Sequence, residues 1–238
     1  METFVCKYSD KGGRPNNEDA IAAGEGIYVL ADGLGGHSCG EIASSMTVDF
    51  IMKHYNHVES IDNETLHNII HDTNKHIYDA KLSNSQYHNM ASTVVAAYIQ
   101  DGMFNYFNVG DSRMYYFRRN KIFLKSHDHS LTQLAVDMGE IKPSAMRFHE
   151  DRNKLTKVLG LTENLRIAEN FSAFAVEEGD AFLLCSDGFW EYIEEKQMQK
   201  ILRKSETPQQ WMSGMLKEIS HNVKEHNDNL SAVCVMVK

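Results

Sequence analysis

The sequence predicts an α+β fold in which two antiparallel β-sheets are covered by helices. Two observations carry this. Apolar, β-branched segments of strand length follow one another through tight-turn dipeptides, and helical periodicity comes in blocks between them. A doubly wound α/β sheet would instead alternate strand and helix strictly.

The elements follow in order. Residues 4–8 are a short strand, and residues 26–30 are an apolar run leading into Ala31-Asp32-Gly33. Ile42, Met46, Phe50, Ile51 and Tyr55 recur near the 3.6-residue period, which predicts a helix over 42–55. Leu66, Ile69, Ile70, Ile77 and Tyr78 predict a second over 63–81, with Asp62 or Asn63 as its cap. A β-meander comes next. Strand 92–99 turns at Asp101-Gly102 into 103–109, strand 113–118 follows, and Asn120-Lys121 turns it into 122–125. Three further strands are expected over 167–175, 181–185 and 230–237, with helices over 197–203 and 208–223. The charged segment 138–154 has no clear period and is expected to be a surface flap.

The chain has 238 residues, 42% of them hydrophobic, without repeats or a linker-like stretch and with three prolines. One domain over residues 1–238 is the simplest organisation. Lys and Arg number 24 and Asp and Glu 33, a net charge of −9, which argues against sequence-independent nucleic-acid binding. No apolar run approaches the roughly 20 residues that span a bilayer. Residues 1–7 lack the basic and apolar regions of a signal peptide, so a cytoplasmic protein without a membrane is expected. Cys6, Cys39, Cys185 and Cys234 show no metal or redox spacing and are expected as reduced thiols. His127-Asp128-His129 is expected to be a polar loop before a helix, because no third ligand lies at helical spacing.

Chemistry enters with the acidic residues. Asp32, Asp111 and Asp187 each end an apolar strand, and Asp228 immediately precedes the last one. Strand ends combine a rigid anchor with an exposed tip. Carboxylate and carbonyl oxygens are the hard ligands that Mg²⁺ and Mn²⁺ prefer. The glycines after Asp32 and Asp187 allow a sharp turn that exposes a carbonyl. Two such ions about 3.5–4 Å apart can activate one water for in-line attack at phosphorus. Cys185 lies in an apolar run without electropositive neighbours. A lone Asp-Gly is an ordinary turn. Four strand-end aspartates together with Glu18-Asp19 are harder to account for that way.

The motifs, in order, begin with Gly12-Gly13-Arg14-Pro15-Asn16-Asn17-Glu18-Asp19-Ala20, Ala31-Asp32-Gly33-Leu34-Gly35-Gly36-His37 and Gly40-Glu41-Ile42-Ala43-Ser44. Ala91-Ser92-Thr93-Val94, Asn108-Val109-Gly110-Asp111-Ser112-Arg113 and Asp128-His129-Ser130-Leu131 follow. The last are Leu155-Thr156-Lys157-Val158-Leu159-Gly160, Cys185-Ser186-Asp187-Gly188 and Asp228-Asn229-Leu230-Ser231. In joint order and spacing this resembles the metal-dependent protein phosphatase family, protein phosphatase 2C, in its compact bacterial form.

The resemblance implies a four-layer α-β-β-α sandwich with metals in a cleft at one end. It implies two core Mn²⁺ or Mg²⁺ ions. Asp32 would bridge both, the Gly33 carbonyl would bind one, and Asp187 and Asp228 would complete the other. Glu18 and Asp19 would act mostly through water, and Asp111 with Asp187 would hold a third, weaker ion. Arg14 would grip the substrate phosphate, a task that suits its planar fork of donors. The implied activity is hydrolysis of phosphoserine and phosphothreonine esters in proteins, with a cognate Ser/Thr kinase or that kinase's substrates as partners.

Some relatives carry His directly after Asp-Gly as a general acid. Here that position is Leu34, and His37 does not match it. Two alternatives stand beside the enzyme reading. One is an inactive member acting as a regulatory binding module, against which the intact Asp32, Asp187 and Asp228 weigh. The other is a phosphatase dedicated to one phosphoprotein.

Overall fold

The computed structural model describes residues 1–35, 39–55, 58, 60–167, 173–223 and 226–238. Along the chain, β1 (Thr3–Asp10), β2 (Asp19–Gly24) and β3 (Ile27–Leu34) precede α1 (Cys39–Tyr55) and α2 (Asn63–Ser83). The meander is β4 (Ala91–Ser92), β5 (Val94–Gln100), β6 (Met103–Val109), β7 (Arg113–Arg118) and β8 (Lys121–Lys125). Then come α3 (Leu131–Asp137), β9 (Phe174–Ala175), β10 (Ala181–Cys185), α4 (Asp187–Trp190), α5 (Glu195–Leu202), α6 (Pro208–Asn222) and β11 (Leu230–Val237).

The strands form two antiparallel sheets. One runs β1-β11-β10-β7-β8 and the other β2-β3-β5-β6-β9, with β4 added beside β3. The period-2 geometry of a strand decides which side chain enters which layer. In β3, Tyr28 and Leu30 face the opposite sheet, while Ile27, Val29 and Ala31 pack under α1 and α2. In β10, Phe182 and Leu184 join the same inter-sheet core, and Ala181, Leu183 and Cys185 lie under α5 and α6. Strand β11 divides likewise, with Val233, Val235 and Val237 inward and Ala232, Cys234 and Met236 toward the helices. Three apolar layers between four layers of structure are the α-β-β-α sandwich that the resemblance implied. Each fully buried Val, Leu, Ile or Phe contributes about 1.5–3 kcal/mol by leaving water.

Local signals hold where they have a specific cause. Asp101 and Gly102 have φ of 52° and 74°, the left-handed pair that a tight hairpin between β5 and β6 requires. Asp62 caps α2 by accepting from Thr65 N–H at 2.8 Å. Elsewhere the expectation shifts. The β7–β8 turn sits at Arg119 and Asn120, φ 52° and 58°, one residue before the expected Asn120-Lys121. The strand expected over 167–175 is present only as Phe174–Ala175 among the described residues, and residues 168–172 lie outside them. Strand β2 was not expected. Its apolar side chains are only half-buried at the edge of a sheet, so it lacks clean alternation. The flap holds one 3₁₀ turn, Pro143–Phe148.

Candidate active site

Backbone constraints first fix the carboxylates at one end of the sandwich. Asp32 lies directly opposite Asp19 in the β2–β3 ladder. Its N–H donates to Thr93 Oγ1 at 3.0 Å, and its carbonyl accepts from Ser92 Oγ at 3.0 Å and Thr93 N–H at 2.8 Å. The Ser92-Thr93 pair therefore locks the Asp32 backbone. Gly33 can only be glycine, because a Cβ there would stand 1.9 Å from the Gly40 carbonyl oxygen. Asp187 opens α4 immediately after β10. A Cβ on Gly188 would meet the Asn229 carbonyl oxygen at 2.2 Å, so that glycine lets the segment bearing Asp228 approach. Asn229 in turn donates to the carbonyls of Lys11 and Asn16 at 2.9 Å each, and its Oδ1 accepts from Glu18 N–H at 2.8 Å. One side chain thus pins the loop that carries Arg14 and Glu18.

These constraints create a cavity of about 500 Å³ lined by Arg14, Glu18, Asp32, Gly33, Asp111, Asp187 and Asp228, with Leu34 at its wall. Of the residues the sequence singled out, Asp19 alone lies behind the lining. It is half-buried, and its Oδ2 accepts from Ser186 Oγ at 3.0 Å. His37 lies outside the described residues.

The electrostatics follow from crowding like charges in a poorly solvated place. Burial, then the neighbouring carboxylates of Asp19 and Asp187, hold the Asp32 carboxyl well above the usual aspartate range. Burial and then Asp111 and Asp228 do the same to Asp187. Burial and Asp128 push Asp111 up to about 7, against the opposing pull of Arg113. Asp19 is raised to about 6, mainly by burial. Glu18 is raised by burial and by Asp228. Asp187 Oδ1 and Asp19 Oδ1 are buried and make no hydrogen bond. Buried carboxylate oxygens without partners are costly, and a divalent cation is the partner that offsets both this cost and the mutual repulsion. The all-oxygen donor set suits Mg²⁺ or Mn²⁺. As they stand, the carboxylates line the cleft without closing it. Among the described residues, no three His, Cys, Asp or Glu side chains are gathered tightly enough to hold an ion.

A family model described as protein phosphatase 2C matches residues 11–232. The chain belongs to the protein phosphatase 2C family. It is 30% identical over 203 residues to the serine/threonine phosphatase stp of Listeria monocytogenes, covering 83% of this chain and 78% of that one. The crystal structure of the serine/threonine phosphatase Stp1 from Staphylococcus aureus superposes with a TM-score of 0.89 at 27% identity, covering 100% of this chain and 96% of the other. The catalytic domain of the phosphatase PstP, solved in complex with 2 manganese ions, shares the fold at a TM-score of 0.83 and 24% identity, covering 99% and 98%. For a member of this family, the cleft just described is the candidate active site.

Sequence reasoning missed the support behind it. Asp128, expected in a polar loop, is buried and grips Arg113 with contacts of 2.9 and 2.7 Å. Arg113 stacks on Trp190 with its Cζ 3.4 Å from the ring centroid, and the Trp190 indole N–H donates to the Asp111 carbonyl at 2.9 Å. The advance signals were a charged residue, Arg113, at the head of an apolar strand and the place of Arg113 and Asp128 in two of the quoted motifs.

Proposed function

We propose that the chain hydrolyses phosphoserine and phosphothreonine esters of proteins with Mn²⁺ or Mg²⁺ in this cleft. The observation that carries the proposal is the buried, unpartnered Asp187 Oδ1 in a cavity shared with Asp32, Asp111 and Asp228. Asp32, the Gly33 carbonyl, Asp187 and Asp228 would together hold the two core ions. Asp111 with Asp187 would serve a third. Bound ions supply the Lewis acidity that makes water nucleophilic at neutral pH and neutralise charge on the phosphoryl oxygens.

The remaining work falls to the chain's own groups. Arg14 holds a phosphate by donating from its guanidinium fork, and its side chain is 52% exposed at the cleft mouth, within reach of a protein substrate. Glu18 on the cleft lining and Asp19 behind it would act through water. The Ser92-Thr93 and Asn229 bonds keep the carboxylates and the Arg14 loop in place, so little reorganisation is needed as charge develops. Leu34 offers no proton to a leaving alkoxide, so this chain supplies no general acid at that position.

The sandwich and the flap over 138–154 are read as one catalytic domain. The partners are phosphorylated proteins, with a cognate Ser/Thr kinase or its substrates the natural candidates. No helix among the described residues is long and apolar enough to cross a membrane. The free thiols of Cys6, Cys39, Cys185 and Cys234 favour the reducing cytoplasm. The test is phosphate release from a phosphothreonine peptide by metal-stripped protein, before and after Mn²⁺ and again after EDTA. Release that follows the metal supports the proposal, and full activity in excess EDTA after stripping refutes it.

A further inference from the structure

Arg147 lies in the last turn of the flap's 3₁₀ segment, Pro143–Phe148. Its side chain is only 8% exposed, deep for an arginine in a surface loop. Nη1 and Nη2 are both buried and make no hydrogen bond, so only ion pairing and ring contact offset their loss of water. Two contacts hold the guanidinium. Nη2 is 2.8 Å from Glu195 Oε2, and Cζ is 5.4 Å from the centre of the Trp190 ring.

Both contacts lead to the cleft. The same Trp190 ring carries Arg113 at 3.4 Å, and its indole N–H holds the Asp111 carbonyl at 2.9 Å. Glu195 stands 3.9 Å from Arg113 Nη1 and accepts from the Tyr115 hydroxyl at 3.3 Å. Two arginines, one from the flap and one from β7, therefore meet at one tryptophan and one glutamate. The tryptophan is bonded to the backbone that aims Asp111. A further tie of the flap, Arg152 Nε to Glu191 Oε1 at 3.0 Å, has its arginine side chain 38% exposed and lies nearer to solvent.

We propose that Arg147 is a positioning residue that couples the flap to the Asp111 side of the cleft through Trp190 and Glu195. Docking the flap seats Arg147 on the ring and steadies the indole bond to Asp111. Undocking leaves Glu195 to Arg113 and Tyr115 and frees one side of Trp190. The inference rests on the reading of Asp111 as part of the catalytic cleft.

The test is backbone hydrogen exchange in the full chain, metal-free and with Mn²⁺. The variants are Arg147→Met, Arg147→Lys and, as a flap control, Phe148→Ala, whose side chain is 83% exposed. Arg147→Met is expected to raise exchange on the order of tenfold both in the flap and in residues 109–113, since local opening tracks the lost contacts. Arg147→Lys keeps a cation for Glu195 and the ring and is expected to restore both segments. Phe148→Ala is expected to leave 109–113 unchanged. Faster exchange in the flap alone would show that Arg147 merely pins the flap and would overturn the coupling, as would an Arg147→Lys chain that exchanges like Arg147→Met. Should Arg147→Met fail to fold, Glu195→Gln removes the charge that joins the two arginines and must loosen both segments, and loosening of the flap alone again overturns the proposal. Phosphate release by the unaltered chain, measured alongside, separates the two readings. An inactive chain would count against the phosphatase proposal while exchange still decides the coupling.

Discussion

Arg14 Nη2 donates to Asp228 Oδ2 at 2.8 Å, joining the residue assigned to substrate phosphate to one assigned to metal. The two side chains are 52% and 36% exposed, so the pair itself contributes about 1 kcal/mol or less. Its value lies in position, because it holds the guanidinium at the cleft until a phosphate takes its place.

Replacing Arg14 by Ala should therefore change binding more than stability. KM for a phosphothreonine peptide is expected to rise about tenfold, equivalent to ~1.4 kcal/mol, with a smaller change in kcat and an almost unchanged melting temperature. Steady-state kinetics beside a thermal melt checks this. An unchanged KM would remove Arg14 from the substrate site.

Removing the side chain of Asn229 should act on the same loop from behind. Asn229→Ala loses bonds to the Lys11 and Asn16 carbonyls and to Glu18 N–H, and leaves those groups short of partners. A loss of about 2–4 kcal/mol in unfolding free energy is expected, together with a raised KM, because the Arg14 loop loosens. Denaturant unfolding measures the first and peptide kinetics the second. A fully stable variant would contradict the role given to this side chain.

That residue also illustrates what the sequence makes legible. The layers were legible because the central strands of the sandwich are buried on both faces, as Ile27-Tyr28-Val29-Leu30-Ala31 shows with odd positions under helices and even positions between sheets. The aspartates were legible because each falls where an apolar run stops or is about to start. The bonds of Asn229 were not, since its partners lie more than 200 positions away in the chain and no periodicity marks them. Helix α4 was missed because four residues are too short for a helical period, although its start decides where Asp187 points. The Arg113–Asp128 pair was missed because nothing in the two motifs that hold these residues says that they meet in a buried ion pair.

The crowded carboxylates set a pH dependence for the metal-free protein. Asp19 and Asp111 are raised from 3.8 to about 6 and about 7. Folding therefore favours their protonated forms. The stabilisation is present at low pH and is lost as pH rises from about 4 through 7. The metal-free chain should melt at a lower temperature at pH 8 than at pH 5, and saturating Mn²⁺ should remove or reverse that difference. Calorimetry in EDTA and in Mn²⁺ decides it. A metal-free melting temperature that climbs over this range would contradict the assigned burial.

Leu34 stands where a general acid could be built. Leu34→His is expected to gain rate on alkyl phosphates, whose leaving oxygen needs a proton, and little on p-nitrophenyl phosphate, whose leaving group is stable as an anion. Comparing kcat on the two substrates checks this, and equal gains on both would point to an effect other than proton donation.

Asp187 offers the most direct measurement. Asp187→Asn keeps the size of the side chain and removes one negative charge beside Asp32, Asp111 and Asp228. The measurement is a paired one on the same sample, the melting temperature in EDTA and phosphate release from a phosphothreonine peptide in saturating Mn²⁺. Relief of repulsion should raise the metal-free melting temperature, while turnover should fall by about a hundredfold or more as the ligand set is broken. A variant that releases phosphate at the unaltered rate would contradict the assignment of the chemistry to this cleft.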